Sequence, residues 1–207
     1  MKKKYKRILI IILIVVLLAI ISFVIYKILL NNKTEEEVVN VVDSISEYGY
    51  NLDDRDTELM KSTYEELKNI LNSDEIDYEL YASALAKLFV IDLFTMDNKI
   101  NKYDVGSTEY VYPDALENFK LNVEDTLYKH MENNSSGKRK QELPEVSSIE
   151  VLSTETGEYT IEENSFDSYI VNLSWQYVSD LGYDNNALIT LINLDNKLYV
   201  VEYEVGE

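Results

Sequence analysis

One long apolar run near the amino terminus constrains this chain more than any other feature. Between Ile8 and Leu30, the 23 residues are apolar except for Ser22, Tyr26 and Lys27. A helix of this length reaches about 34 Å, and a hydrocarbon core of about 30 Å needs roughly 20 apolar residues. We therefore predict a transmembrane helix over residues 8–30, because a lipid-exposed span must satisfy its own backbone hydrogen bonds.

A cleaved signal peptide is the competing interpretation of this run. The apolar region of such a peptide is about 7–15 residues long and is followed by a small-x-small cleavage site. Here the run is longer, and no A-x-A pattern follows it. The chain has no cysteine, which excludes a lipoprotein signal. Length and flanking sequence therefore both favour an uncleaved anchor.

The flanking charges predict the orientation of the span. Four lysines and one arginine lie within residues 1–7, whereas Lys33 and three glutamates follow the run. The positive-inside rule keeps the more basic side in the cytoplasm. We expect residues 1–7 to form a cytoplasmic basic tail and the part of the chain after the span to lie outside the cell membrane.

The charge of the outer part limits its partners. Residues 34–207 carry 12 basic and 38 acidic residues, a net charge of −26. Such a surface repels nucleic acid, whose binding needs Lys and Arg to neutralise phosphates. The same charge keeps a domain soluble beside a membrane. The absence of cysteine excludes disulfides, and a domain of this size can bury enough core without them.

Helical periodicity follows the span. Apolar residues recur at spacings of three and four, which predicts an amphipathic juxtamembrane helix over residues 31–49 that ends at Gly49. Its stripe consists of Val38, Val41, Val42, Ile45 and Tyr48.

Residues 50–207 are predicted to form an extracytoplasmic α+β domain. After a short strand at Tyr50–Leu52, we expect a helix capped within residues 53–56, a nearly all-apolar helix over residues 75–96, and a helix from Pro113 to Met131. The first of these helices carries the stripe Met60, Tyr64, Leu67 and Leu71.

The period falls to two after Val146, which indicates strands. Five alternating residues predict one strand with a polar opposite face, and Asp195–Asn196 fits a two-residue turn between strands 187–194 and 197–205. This turn predicts that Ile192 faces Tyr199, and it brings two further residue pairs together, Thr190 with Val201 and Leu188 with Tyr203. The five alternating residues are Tyr169, Val171, Leu173, Trp175 and Tyr177.

Helices followed by strands predict an α+β fold, in which a helical half packs on a curved antiparallel sheet of about four strands.

Patterns that carry chemistry are few. The single histidine, His130, is expected to cap the last turn of a helix, and the absence of cysteine excludes thiol catalysis and the usual zinc sites. No phosphate-binding glycine loop occurs. Asp180–Asn186 is better explained as a polar hairpin connection than as a cation site. Lys138–Lys140 is expected to be a solvated basic loop.

One segment has calcium-like spacing but lacks a required glycine. Asp54, Asp56, Glu58 and Glu65 occupy loop positions one, three, five and twelve, yet Leu59 stands where glycine is needed. The segment also carries the helical stripe. We therefore predict no metal site and no cofactor.

Asp92 is the one acid that stands apart. It lies inside the apolar stretch Ala84–Met96, and a buried, unpaired carboxylate there would have a raised pKa. One hypothesis makes it the acid of a cavity that faces the aromatic strands. The other, which we favour, is that Asp92 faces solvent or bonds a neighbouring backbone donor.

The layout of tail, span and outer domain resembles the inner-membrane scaffold proteins of type IV secretion systems. That resemblance covers the order of elements and implies a nuclear-transport-factor-two-like roll. Such a roll is cone-shaped, and its interior is either filled by aromatic residues or open as a ligand pocket. The residues that decide between these states are Tyr169, Trp175, Tyr177, Tyr199 and Tyr203. Arg55–Lys61 and Leu88–Phe94 also resemble segments of uncharacterised bacterial membrane proteins.

Two functions remain open from the sequence. The first is a membrane-anchored interaction or scaffold protein without catalytic activity, bound to the membrane through residues 8–30 and to a protein partner or to itself. The second is a ligand-binding or weakly enzymatic cone with Asp92 in its cavity. We expect the first, because fold alone does not confer activity and no catalytic constellation stands out.

Overall fold

The computed structural model describes residue 13, residues 16–23 and residues 40–206. Leu13 and residues 16–23 are helical. The chain divides into two compact units, Met1–Val39 and Asn40–Glu207. No helix within the described ranges is both long and apolar enough to cross a membrane. Most of the predicted span 8–30, the tail 1–7 and residues 31–39 of the predicted juxtamembrane helix lie outside these ranges.

The second unit begins with a β-hairpin, not with the end of the predicted helix 31–49. Strand β1 (Val41–Ile45) pairs antiparallel with strand β2 (Tyr50–Asp53). The helical prediction is wrong for these residues because spacings of three and four also occur by chance in a short Val- and Ile-rich strand, where β-branched side chains are favoured. Gly49 adopts a φ of +69° in the hairpin turn, a conformation that glycine accepts without strain.

Two α-helices follow as expected. The cap of helix α1 (Glu58–Leu71) is Thr57, one residue after the predicted cap region, and its side chain accepts a 3.2 Å hydrogen bond from the Met60 amide. Helix α2 (Tyr78–Phe94) starts at Asp77, whose carboxylate accepts from the amides of Glu79 and Leu80. Helix α2 is buried nearly all round, which confirms it as the centre of the domain.

The third helix is shorter than predicted. A 3₁₀ turn (Pro113–Ala115) leads into helix α3 (Leu116–Asp125), and residues 126–130 form turns. Thr126 leaves helical geometry with φ −121° and ψ −88°. Beyond it, the Tyr128 hydroxyl donates a 2.7 Å hydrogen bond to the Leu93 carbonyl. This buried tertiary bond replaces the predicted last turns of the helix.

The main sheet is a four-stranded antiparallel meander. Its strands follow in sequence order as β3 (Val146–Ile161), β4 (Asn164–Tyr177), β5 (Asn186–Leu194) and β6 (Lys197–Val205). One face, the inner face, packs against the helices. Its fully buried residues are Val171, Leu173, Ala187, Ile189, Leu191, Leu198 and Val200. The α+β class and the four-stranded antiparallel sheet are therefore confirmed.

The β5–β6 register is confirmed near the turn and wrong farther away. Asp195 and Asn196 both have positive φ, as a type I′ turn requires, and Ile192 pairs with Tyr199. A β-bulge then adds one residue to β6, so that Thr190 pairs with Glu202 and not with the predicted Val201.

The same bulge shifts every later pair. Leu188 pairs with Glu204, and Tyr203 pairs with Ile189. Tyr203 is thereby turned from the outer face of the sheet to the inner face, where Ile189 lies.

Candidate functional site

Aromatic side chains fill the space between helix α2 and the inner face of the sheet. The ring of Phe94 lies 4.9 Å from that of Trp175, and the ring of Phe89 lies 5.6 Å from Tyr203 and 5.8 Å from Phe119. Phe89 is completely buried, and Phe94 and Trp175 are each 2% exposed. Such ring contacts are those of a packed core, in which little room is left for a ligand.

The aromatic residues predicted to line a cavity on β4 are core or core-edge residues. Tyr169 stacks on Tyr78 at a centroid distance of 6.4 Å. Trp175 is buried, and its indole Nε1 has no partner among the described residues. The Tyr177 hydroxyl donates a 2.6 Å hydrogen bond to the Asp184 carbonyl, and burial raises the pKa of Tyr177 to about 12. None of these three side chains lines either of the two surface grooves described below.

The two predicted tyrosines of β6 lie on opposite faces of the sheet. Tyr203 packs inward on Phe89, whereas Tyr199 faces outward and makes an edge contact with Tyr112. The Lys197 ammonium lies 4.7 Å from the ring centroid of Tyr199. The bulge between them separates these two tyrosines, so they cannot line one cavity.

Asp92 bonds a loop and not the sheet. Its Oδ1 accepts a hydrogen bond from the Lys99 ammonium, and its Oδ2 accepts one from the Ser107 backbone amide. The side chains of Asp92 and Lys99 are only 17% and 6% exposed. The hypothesis that Asp92 faces the aromatic strands is therefore wrong, and the backbone-donor alternative describes its contact with Ser107.

Two opposing effects act on the pKa of Lys99, the partner of Asp92. Burial lowers the pKa of Lys99, but the adjacent Asp92 carboxylate outweighs that effect and holds the pKa above its usual value. The loop also approaches helix α2 closely at Gly106, where an added Cβ would lie 2.5 Å from the Asp92 carbonyl oxygen. Asp92 and Lys99 therefore fasten the loop after α2 to the helix.

A second ion pair, between Arg55 and Asp104, also holds the loop after helix α2. The Arg55 guanidinium donates a 2.6 Å hydrogen bond to Asp104 and contacts Asp53 at 3.4 Å. Arg139 donates to the carbonyls of Lys99 at 2.8 Å and Asp97 at 2.5 Å. The Arg139 side chain is 3% exposed, so the prediction of a solvated basic loop at Lys138–Lys140 is wrong for its central residue.

A ring of neutral hydrogen bonds joins the β1–β2 hairpin to the sheet. The Tyr50 hydroxyl donates to the Leu198 carbonyl at 3.1 Å, and the Leu198 amide donates to the Tyr81 hydroxyl at 3.3 Å. The two hydroxyls are 2.6 Å apart. Because the single Tyr50 proton goes to Leu198, Tyr81 donates to Tyr50 and closes the ring.

Two carboxyl groups beside β2 have raised pKa values. Burial raises the pKa of Glu109 to about 7, although its carboxylate accepts bonds from the Asn51 amide and side chain at 3.0 and 3.2 Å. Burial likewise raises the pKa of Asp56 to about 6, although it accepts a 2.6 Å bond from the Asp53 amide. Both acids hold the hairpin to the domain.

Two shallow surface grooves lie elsewhere. One, of about 290 Å³, lies between β6 and helix α3 and includes Phe119, Glu202 and Tyr203. The other, of about 270 Å³, is lined by Asp97, Glu142, Glu145 and apolar neighbours. Asp92 borders neither groove.

The residues considered for metal binding do not form a site in the described part of the chain. No group of three or more His, Cys, Asp or Glu side chains within those ranges is arranged to hold a metal ion. Asp56 instead accepts the Asp53 amide, and Glu58 pairs with Lys61 at 2.8 Å. His130 lies in a turn beyond helix α3, so it does not cap the last turn of that helix.

The sequence patterns did not predict the residues that bind Asp92 and Asp97. Lys99, Ser107 and Arg139 lie in segments without periodicity, and no pattern connects them to Asp92 or Asp97. The one available signal was that an acid inside an apolar helix needs a cation or an amide nearby.

No family model, no curated protein and no solved structure matches this chain.

Proposed function

We propose that this chain is a membrane-anchored extracytoplasmic interaction or scaffold protein. One observation supports this function above the others: the space between helix α2 and the inner face is filled by side chains such as Phe89, Phe94 and Trp175. Because this interior leaves little room for a ligand, the proposal places the function on the surface of the domain, where a protein partner can bind.

The membrane anchor in this proposal comes from the sequence. The apolar run Ile8–Leu30, with five basic residues before it, has the length and flanking charge of a span whose amino terminus is cytoplasmic. The resemblance of the layout to type IV secretion scaffold proteins points to the same class. A net charge of −26 beyond the anchor favours protein partners over nucleic acid.

The alternative, a ligand cone with Asp92 as its acid, loses its main support. Both carboxylate oxygens of Asp92 are occupied by Lys99 and Ser107.

Purification of the full-length chain from its native membranes tests the proposal. The tagged protein would be cross-linked in the membrane, solubilised in mild detergent and analysed by size-exclusion chromatography with light scattering and by mass spectrometry. We expect a stoichiometric protein partner or a defined homo-oligomer. A monomer without any stoichiometric partner, both before and after cross-linking, would contradict the proposal.

The control for this experiment is a chain that keeps the anchor but lacks a folded domain. Leu88→Asp buries a charge in the centre of α2, where Leu88 is completely buried, and we expect it to unfold the domain. A partner retained by this variant binds the anchor or the tail, whereas a partner lost from it binds the folded domain.

A further inference from the structure

The face of the main sheet that points away from the helices, the outer face, has an unusual charge pattern. On this face the four strands carry four glutamates and a single basic residue, Lys197. Lys197 is drawn to the turn end of the sheet, where its ammonium donates to the Tyr48 carbonyl and lies 4.7 Å from the Tyr50 ring centroid. The rest of the outer face therefore carries acids without neighbouring cations in the strands.

Three apolar side chains lie in the middle of this face. Leu152, Ile170 and Leu188, here called the outer patch, are 55%, 37% and 41% exposed. The strand register places them side by side: Ile170 pairs with Thr190 on the neighbouring strand, and Leu188 pairs with Asn172. Leu152 occupies a bulge of β3 beside Ser153, which pairs with the same Asn172. The patch thus crosses three adjacent strands.

Glutamates border the outer patch on both edge strands. On β3, Glu155 pairs with Ile170, and on β6, Glu204 pairs with Leu188. Glu150 and Glu202 lie on the same face, one on each edge strand. All four glutamates are exposed, and none forms an ion pair with another described residue.

Buried residues limit the outer patch at one end. Farther along the same face, Ser168 is 3% exposed and Ile192 is completely buried. The outer patch therefore ends before Ser168 and Ile192.

The dimensions of this face suit a helix. The edge strands β3 and β6 are three strand spacings apart, about 14 Å. An α-helix with its side chains is about 10–12 Å wide. A helix that lies along β4 and β5 would therefore place an apolar stripe on Ile170 and Leu188 and bring its two flanks to the rows of glutamates.

The glutamates around the outer patch determine which kind of helix can bind there. We propose that the outer patch is the docking surface for an amphipathic helix of a partner protein, with a leucine-like stripe flanked by lysine or arginine on both sides. This inference rests on the proposed interaction role and adds the location and chemistry of the partner. A second copy of this chain would place glutamate rows against glutamate rows, and anionic lipid would be repelled in the same way.

Synthetic peptides test this surface directly. The probe is an 18-residue helical peptide with a leucine stripe and lysine flanks, and the two comparison peptides are a scrambled version of the same composition and a version with glutamate flanks. Binding to the full-length chain would be followed by fluorescence anisotropy. We expect the amphipathic basic peptide to bind at least about tenfold more tightly than the scrambled one, since only it buries an apolar stripe. The glutamate version should not bind.

Two substitutions of equal charge locate the site. Leu188→Lys places a cation in the outer patch, whereas Leu121→Lys places one at an exposed leucine of helix α3, which is 57% exposed against 41% for Leu188. We expect Leu188→Lys to weaken peptide binding about tenfold and Leu121→Lys to weaken it less than about twofold. Ile170→Lys serves as a second patch variant, and unchanged melting temperatures establish that all three variants are folded.

The outcomes separate this inference from the proposed function. Failure of the amphipathic peptide to bind, or equal weakening by Leu188→Lys and Leu121→Lys, would overturn the outer patch as a docking surface. A stoichiometric partner from native membranes whose binding survives Leu188→Lys would also overturn it, and yet leave the interaction role in place.

Discussion

The two faces of the main sheet differ in the burial and the charge of their side chains. The inner face buries Val171, Leu173 and Ile189 completely against the helices. The outer face, built from alternate residues of the same strands, exposes Ile170 and Leu188 between rows of glutamate. The difference teaches that the interior serves stability, and it agrees with our proposal that a partner binds at the surface. A period-two sequence can assign both roles within one strand.

The largest expected effect concerns the inner face. Phe89→Ala removes a completely buried ring from its contacts with Phe119 and Tyr203, and we expect it to destabilise the domain by about 3–5 kcal/mol. Ile170→Ala on the outer face should change stability by less than about 1 kcal/mol. Urea unfolding of both variants measures the difference, and similar losses would remove the contrast between the faces.

The next effect concerns the ion pair that fastens the loop to helix α2. Lys99→Met leaves the Asp92 carboxylate, 17% exposed, without its cation, and we expect a loss of about 3 kcal/mol. Lys61→Met breaks an exposed pair with Glu58 and should leave the free energy of unfolding unchanged. If Lys99→Met unfolds at the same urea concentration as the wild-type chain, the pair of Lys99 and Asp92 does not contribute to the stability of the domain.

The tyrosine ring should contribute less because it is neutral. Tyr81→Phe leaves the Tyr50 hydroxyl without a donor and the Leu198 amide without its acceptor, and we expect a loss of about 1–2 kcal/mol. Tyr103→Phe, at a side chain that is 66% exposed, is the matched control. Equal melting temperatures for the two variants would show that the ring does not hold the hairpin to the sheet.

The smallest effect is a dependence on pH. The pKa of Glu109 in the folded domain is about 7, above its value in an unfolded chain. The stability that Glu109 contributes is therefore present below about pH 4.5 and is lost as the pH rises through about 7. We expect Glu109→Gln to stabilise the domain at pH 8 relative to the wild type, on the order of 1 kcal/mol, and to have less effect at pH 5.

The control for this pH effect lies on the outer face. Glu155→Gln removes the same charge from an exposed position opposite Ile170. Thermal melts from pH 5 to pH 8 compare the two variants. Identical pH profiles would mean that the loss of net negative charge, and not the burial of Glu109, sets the response.

Much of the fold follows from local patterns in the sequence. Alternation along Tyr169–Tyr177 predicts β4 and its inward face, and Asp195–Asn196 predicts the β5–β6 turn. The helix cores follow from their apolar stripes and caps. These features depend on neighbours within a few residues, so one sequence is enough to predict them.

The remainder depends on contacts between distant residues. Val41–Ile45 is a strand because it pairs with β2, although its spacing also suits a helix. The bulge at Val201 leaves the strand pairing near the turn as predicted. Beyond the bulge, the residues of β6 exchange faces, so that Tyr203 points inward. Asp92 finds Lys99 and Ser107 only when the loop folds back on helix α2. No periodicity encodes such contacts.

Thiol labelling at adjacent positions tests the contrast between the faces most directly. The chain has no cysteine, so Ala187→Cys and Leu188→Cys each provide a single thiol on neighbouring residues of β5, one 2% and one 41% exposed. With an aqueous maleimide, we predict that Cys at position 188 reacts at least about a hundredfold faster than Cys at position 187, which reacts only when the domain opens. Comparable rates in the folded protein would mean that the inner face encloses an accessible cavity. This result would contradict the filled interior on which the proposed surface role depends.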